Sequence, residues 1–433
     1  MVKLTYEYRN SEAARRGRLA ATLARPVVAA LLASLALAGS AMAQDKPTAE
    51  VMHWWTSGGE AAAVRVFADQ YTKAGGVWKD SAIANGETAR AAAINRIVGG
   101  NPPTASQFNT GKQFDDLVSQ GLLNTLDQVA EEGKWKSFLP PSFVAAASRD
   151  GHIYAVPVNV HGQNWAFYSK EVLDKSGVSA PPANWDEFFA AMDKIKAAGY
   201  TPLALGGQPW QERILFNDVL LSVSKDTYLK IFDKHDVNAV NSPEFKKAAE
   251  IYGKLRGYVD AGSPGRNWND ATALLITGKA GVQFMGDWAK GEFKAAGKAP
   301  GKDYYCQIGL TDQELMIGGD VFVFPKTSDA NQVKAQNLLA ATMLAPDTQL
   351  LFNIQKGSMP VRTDVDATKL DSCAQKGMKL LADTSHQTPV IDMLISADLS
   401  GAIDDVVTNY WNDKNATAES FIAKYADALK SAS

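Results

Sequence analysis

Residues 50–60 read "EVMHWWTSGGE". A short apolar run ends in two adjacent tryptophans, then turns on Gly58-Gly59 toward an acid. The run predicts a first strand. The segment after it, "EAAAVRVFADQYTKAG", predicts a helix, with Ala63, Phe67, Ala68 and Tyr71 near helical spacing and a stop at Gly75-Gly76. Strand, glycine turn and helix form the unit from which α/β layers are built. Neighbours in a strand point to opposite faces, so one of Trp54 and Trp55 can enter a core while the other needs a different partner.

The same texture continues. "TARAAAINRIVGG" repeats the helix-then-glycine plan, and "PPTASQFN" leads back to a strand end. "GHIYAVPVNV" reads as a strand interrupted by Pro157, which places it at an edge or a crossover. "NWDEFFAAMDKIKAAG" predicts a helix capped by Asn184, with Glu187 three residues on and an apolar face of Phe188, Phe189, Met192 and Ile195. "SPEFKKAAEIYGKLRGYVD" predicts another, with Phe245, Ala249, Tyr252 and Leu255 inward. "YTPLALGG", "KAGVQFMGDW" and "GGDVFVFPKT" read as strands, with Trp288 just past the end of the second. No repeat, low-complexity tract or flexible linker interrupts this order. Two α/β lobes joined by several short crossovers fit it better than two separate beads; one large single domain is the alternative.

The first 43 residues stand apart. Arg15, Arg16, Arg18 and Arg25 precede "PVVAALLASLALAGSAMA", the basic, apolar and small-residue plan of a signal peptide ending before Gln44. The apolar run is short for a membrane span, and no cysteine at the cleavage point offers a lipid anchor. The expected location is therefore a periplasm. Without the leader, 38 basic and 45 acidic residues leave a net charge of −7, with no basic block for nucleic acid or an anionic membrane. In an oxidising compartment Cys306 and Cys373 most simply pair, with free thiols or metal ligation as alternatives. Five scattered histidines and two cysteines give no close ligand spacing, so no metal is expected, and no cofactor.

Open α/β sheets collect ligands at the carboxyl ends of their strands, where Trp54, Trp55, Gln107, Trp288 and Asp320 are expected. An indole face is flat, apolar and slightly negative, and suits the C–H face of a sugar ring; plain packing is the alternative. Glu60, Lys112, Asp287, Asp320 and Lys356 each stand at or next to a residue bordering glycine, which lets backbone approach a ligand closely. Such charges are hydroxyl-binding candidates or solvated loop residues. No nucleophile elbow, phosphate loop or zinc-protease motif is present.

In order and spacing, "EVMHWWTSGGE", "GHIYAVPVNVHGQNWAFYSKEVLDKSGV", "NWDEFFAAMDKIKAAGYTPLALGG", "GVQFMGDW" and "KGSMPVR" resemble bacterial extracellular solute-binding proteins of family 1, particularly the glucose-binding branch. The resemblance implies an α/β two-lobe periplasmic binding protein fold, with discontinuous lobes, a hinge and a ligand cleft between them. It assigns residues 44–156 and about 310–357 to an N-terminal lobe, and 157–309 and about 358–433 to a C-terminal lobe. It implies a non-enzymatic monomer that carries a monosaccharide, glucose first, to an inner-membrane permease of an ATP-driven importer. By position, the site it implies comprises Trp54, Trp55, Glu60, Gln107, Lys112, Trp288, Asp320, Lys356 and, late in the chain, His386. Asn159, His161 and Asn164 near the crossover contact either ligand or only the hinge. A glycoside hydrolase using Glu60 and Asp320 is the rival from another class, and it would need one acid whose pKa is raised.

Overall fold

The computed structural model describes residues 46–431; the expected leader lies outside them. The opening stretch forms the strand Thr48–His53 and the helix Gly58–Lys73, which buries Ala63, Phe67 and Tyr71. The next helix, Gly86–Val98, starts at Asn85, whose side chain accepts from the amides of Glu87 and Thr88 at 2.9 and 3.1 Å. These two bonds satisfy donors that a helix start leaves without intrahelical partners.

Two main sheets organise the chain. The first has five strands in the order Val77–Ala82, Thr48–His53, Ala105–Asn109, Asp320–Val323 and Ala155–Pro157. Its first three strands are parallel, and Asp320–Val323 runs antiparallel to both of its neighbours. Pro157 therefore sits on an edge strand, where its missing N–H costs no ladder bond. The second sheet has the order Tyr304–Ile308, Trp165–Ser169, Ala280–Met285 and Thr201–Leu203. A three-stranded ribbon of Gln387–Pro389, Leu315–Gly318 and His161–Gly162 lies where the chain passes from one sheet to the other.

The chain makes that passage after Pro157 and returns before Asp320. Helix Pro346–Lys356 packs on helix Gly58–Lys73 beside the first sheet, whereas helix Ser372–Leu381 lies against strand Tyr304–Ile308 of the second, so a third passage falls between Lys356 and Ser372. The Cys306–Cys373 disulfide fastens this returning segment to the edge of the second sheet. Closing so long a loop stabilises the fold by roughly 4 kcal/mol on chain-entropy grounds.

One apolar cluster runs from Trp55, Phe67, Phe322 and Phe352 to Trp165, Phe167, Phe293 and Tyr304, and so lies under both sheets. A second belongs to the helices of the later half. Helix Trp185–Ala197 buries Phe188, Phe189, Met192 and Ile195 and is capped by Asn184, which accepts from the Glu187 amide at 2.9 Å. Helix Pro243–Leu255 meets the two C-terminal helices Ala397–Asn412 and Ala418–Ser431 through an aromatic group of Phe216, Phe245, Tyr252, Phe421 and Tyr425.

Inside that second cluster Asp218 is buried, with neither carboxyl oxygen hydrogen-bonded. Burial alone pushes its pKa well above the ordinary carboxyl value. The folded chain then holds a proton that the unfolded chain releases, so this residue's contribution to stability falls as pH rises above the ordinary carboxyl value. Asp218→Asn is expected to be more stable than the parent. In urea melts its advantage should grow from pH 5 toward pH 7, by up to about 1.4 kcal/mol per pH unit.

Candidate functional site

A cleft of about 750 Å³ opens where the strand ends of the two sheets face each other. Trp54 enters it directly from the first strand, resting its ring on Gly86. Glu60 comes from the first turn of helix Gly58–Lys73, Asp320 from the start of its strand and Lys356 from the last residue of helix Pro346–Lys356. Trp288, Trp210 and Trp268 form the opposite wall, with Arg213 and Asp404 deeper along it. A Cβ on Gly286 would overlap the Trp288 ring, so this glycine is what lets the indole fold back over its own strand end.

The floor of the cleft is a row of buried, alternating charges. Asp320 is 4 % exposed, and its Oδ2 accepts from Asn159 Nδ2 and His161 Nε2, both at 2.8 Å. Its Oδ1 accepts from Gln107 Nε2 at 2.9 Å. Burial would raise the Asp320 pKa, but the His161 imidazole, the Lys356 ammonium and the Asn159 amide outweigh it and hold the acid at about 2. His161 also reaches Asp287, Nδ1 to Oδ1, at 2.5 Å. Burial works against an imidazolium there, yet the carboxylates of Asp287 and Asp320 prevail and raise the histidine above its ordinary value. Lys356 Nζ donates to Glu60 Oε1 at 3.0 Å, with both side chains nearly inaccessible, and Ser57 Oγ donates to Glu60 Oε2 at 3.1 Å.

Helix contacts set this row in place. The Gly59 amide donates to Glu292 Oε1 at 2.8 Å, and Gly59 abuts the backbone of Gly291, so the turn carrying Glu60 is held by helix Ala289–Ala295. Gly357, at φ 85°, ends the helix that carries Lys356. Gln107 does not line the cleft; it stands behind it, accepting from the Trp54 amide at 3.1 Å while it holds Asp320.

Of the residues expected at the site, Trp54, Glu60, His161, Trp288, Asp320 and Lys356 meet here. Trp55 does not line it: only 1 % exposed, it packs on Phe67, Phe322 and Phe352 and turns its face to Lys356 Nζ at 5.6 Å. Strand alternation sends it inward while Trp54 goes out. Lys112 is exposed and outside the lining; its amide donates to the Asp392 carbonyl at 3.1 Å. His386 is half-exposed, with Nδ1 2.8 Å from the Gln313 carbonyl, and lies outside the lining. Asn164 bonds Glu314 and Met316 and belongs to the crossover alone.

The sequence reading missed Trp210, Trp268 and the buried pair of Arg213 and Asp404, 2.5 Å apart. Trp210 follows Gly206-Gly207 after the strand Thr201–Leu203, the same local signal that marked Trp54 and Trp288. The ion pair carries no local signal, because its members lie 191 positions apart.

Two α/β halves linked by three chain passages, with an aromatic and charged cleft between strand ends, define a bilobal ligand-capture protein. The chain belongs to the bacterial extracellular solute-binding protein family, whose model matches residues 55–347. A "probable sugar-binding periplasmic protein" of Brucella suis biovar 1 (strain 1330) is 41 % identical over 391 residues, 88 % of this chain and 92 % of that one. A protein of the same description from Rhizobium meliloti (strain 1021) is 40 % identical over 389 residues, 88 % of this chain and 93 % of the other. Among solved structures, a chitin oligosaccharide binding protein shares the fold with a TM-score of 0.78 at 17 % identity, covering 90 % of this chain and 99 % of its own.

The Glu60–Lys356 pair tests how far the floor is a unit. Lys356→Met leaves a buried carboxylate without its cation, and the variant is expected to lose about 3 kcal/mol in guanidinium melts. Lys112→Met, on the exposed loop, is expected to stay within about 0.5 kcal/mol of the parent.

Proposed function

We propose that this protein is the periplasmic capture component of an ATP-driven sugar importer, and that its cleft takes a single hexopyranose, glucose in our reading. The observation that carries the proposal is the juxtaposition of Trp54 and Trp288 with the buried row Asp320, Lys356 and Glu60. The indoles offer flat faces to the C–H side of a ring. The ionised groups offer acceptors and a donor to its hydroxyls, in a place where water is scarce and such bonds are strong. The curated relatives, described as sugar-binding, support the class of ligand. The preference for glucose rests on the motif resemblance, as do the inner-membrane permease as receiver, the monomeric state and the lobe boundaries near 157, 310–325 and 357. Sugar would first dock on one wall, hinge closure would then bring the other onto it, and the permease would read the closed shape.

The hydrolase alternative is disfavoured by the electrostatics. Such an enzyme needs one carboxyl that keeps its proton, whereas Asp320 is held at about 2 and Glu60 lies 3.0 Å from an ammonium. Six acids line the cleft, Glu60, Glu87, Asp320, Asp392, Asp404 and Asp405, against Arg90, Arg213, Lys356 and His161, so its charge leans acidic and neutral sugars are favoured over anionic ones.

Titration calorimetry against neutral hexoses, pentoses, glucuronate and glucose 6-phosphate tests the reading. A neutral hexose is expected to bind with about −8 kcal/mol or better, a micromolar affinity, and the anionic analogues at least about tenfold more weakly. Trp54→Ala and Trp288→Ala are each expected to lose about 1–3 kcal/mol of binding. Failure of every sugar to bind would overturn the proposal.

A further inference from the structure

Asp287 takes no part in lining the cleft and has no solvent exposure, yet both of its carboxyl oxygens are held. Its Oδ1 lies 2.5 Å from His161 Nδ1, its Oδ2 accepts from the Gly162 amide at 2.9 Å, and its own amide donates to the Gly162 carbonyl at 3.0 Å. The end of strand Ala280–Met285 is thereby locked to the crossover strand His161–Gly162. From the other side of the imidazole, Nε2 reaches Asp320 Oδ2 at 2.8 Å. A histidine between two carboxylates, one on each nitrogen, satisfies both only as the imidazolium, since a neutral ring would turn a lone pair against one of the oxygens. Both N–H groups are then occupied, and none is left for a ligand.

We propose that Asp287 and His161 are positioning residues for ligand capture: an imidazolium clasp that ties the strand end bearing Trp288 to the cleft-facing carboxylate of Asp320, so that affinity weakens when His161 loses its proton. The inference rests on the cleft as the sugar site and adds to it how its acid is fixed. Trp288 stands edge-on to the imidazole at 4.9 Å, so the same ring sets one aromatic wall and one acid. The groups packed around the clasp are consistent with this charge. Asp287 approaches from the end of one strand and Asp320 from the start of another; Lys356 acts on Asp320 from the end of its helix, and its own charge is balanced by Glu60. Asn159 Nδ2, 3.1 Å from Nε2, points at the same Asp320 oxygen. The raised histidine pKa gives the sign: the clasp is complete at and below the ordinary histidine range and is lost as pH rises through the elevated value.

The test combines D-glucose titrations between about pH 5.5 and 9.5 with NMR of the His161 imidazole, in the parent, Asp287→Asn and His161→Gln. The Kd of the parent is expected to rise about tenfold across the alkaline limb, in step with the His161 titration. Asp287→Asn should move both midpoints down by about one unit, since the charged ring then loses one of the two carboxylates that stabilise it. His161→Gln should bind with a Kd that no longer follows that limb. A purely structural role would lower affinity at every pH without moving a midpoint. A flat Kd in the parent, an imidazole already neutral at pH 7, or an Asp287→Asn midpoint that stays in place would each overturn the clasp. If glucose binds at no pH, the glucose reading alone falls. The imidazole titration of parent and Asp287→Asn then decides the clasp: a charged ring at pH 7 whose midpoint drops in the variant supports it, and any other result refutes it.

Discussion

Two of the three passages between the sheets touch at Gly319. A Cβ there would press on the carbonyl of Asn159, and one on Gly318 would press on Val390. Only because Gly319 carries no side chain can the passage after Pro157 lie flat against the one before Asp320. That contact delivers Asn159 and His161 to Asp320: the Asp320 amide donates to Asn159 Oδ1 at 2.7 Å, and the carboxylate accepts from both side chains. The site is therefore built at the crossing itself. Residues from both halves gather around one acid because the backbones that cross beside it are close enough to share it.

The charged floor is costly in a way that its pairing only partly offsets. Each ion removed from water carries a desolvation penalty of several kcal/mol, and an apolar replacement of the same shape is often at least as stable. Asp287, His161, Asp320, Lys356 and Glu60 are all buried, and their signs alternate along the row. Alternation lets each ion be stabilised by its neighbours. Stability alone gives little reason for such a row. A ligand rich in hydroxyls does, because it needs ionised acceptors that stay ionised out of water. The low pKa of Asp320 is the local expression of that arrangement.

What the sequence made legible was local. A strand or helix running into glycines predicts a close backbone approach, and on that basis Trp54, Glu60, Trp288, Asp320 and Lys356 could be gathered from four distant segments. Helix faces such as Phe188, Phe189, Met192 and Ile195 were legible for the same reason, since their period is written in consecutive residues. Lys112 shows the limit. A charge beside glycine tells that a loop comes near, but not which way its side chain leaves, and here Gly111 packs on Asp392 while the lysine points to solvent. Arg213 and Asp404 meet only through the packing of helix Pro209–Val223 on helix Ala397–Asn412, and no spacing within either helix records it.

The adjacent tryptophans show how these levels join. Alternation in the strand required one indole inside and one outside but did not say what the inner one would do. Trp55 fills the core with Phe67 and Phe352 and presents its face to the Lys356 ammonium at 5.6 Å, while Trp288 from the other half lies 5.8 Å away. At these separations an indole attracts a cation. The lysine that neutralises Glu60 is thus held between an indole of each half, and the aromatic wall and the charged floor become one mechanical object. Trp288 cannot swing away without exposing one side of that ammonium. Movement between the halves would therefore be felt at Lys356, among the described residues the one lysine that pairs with a cleft acid.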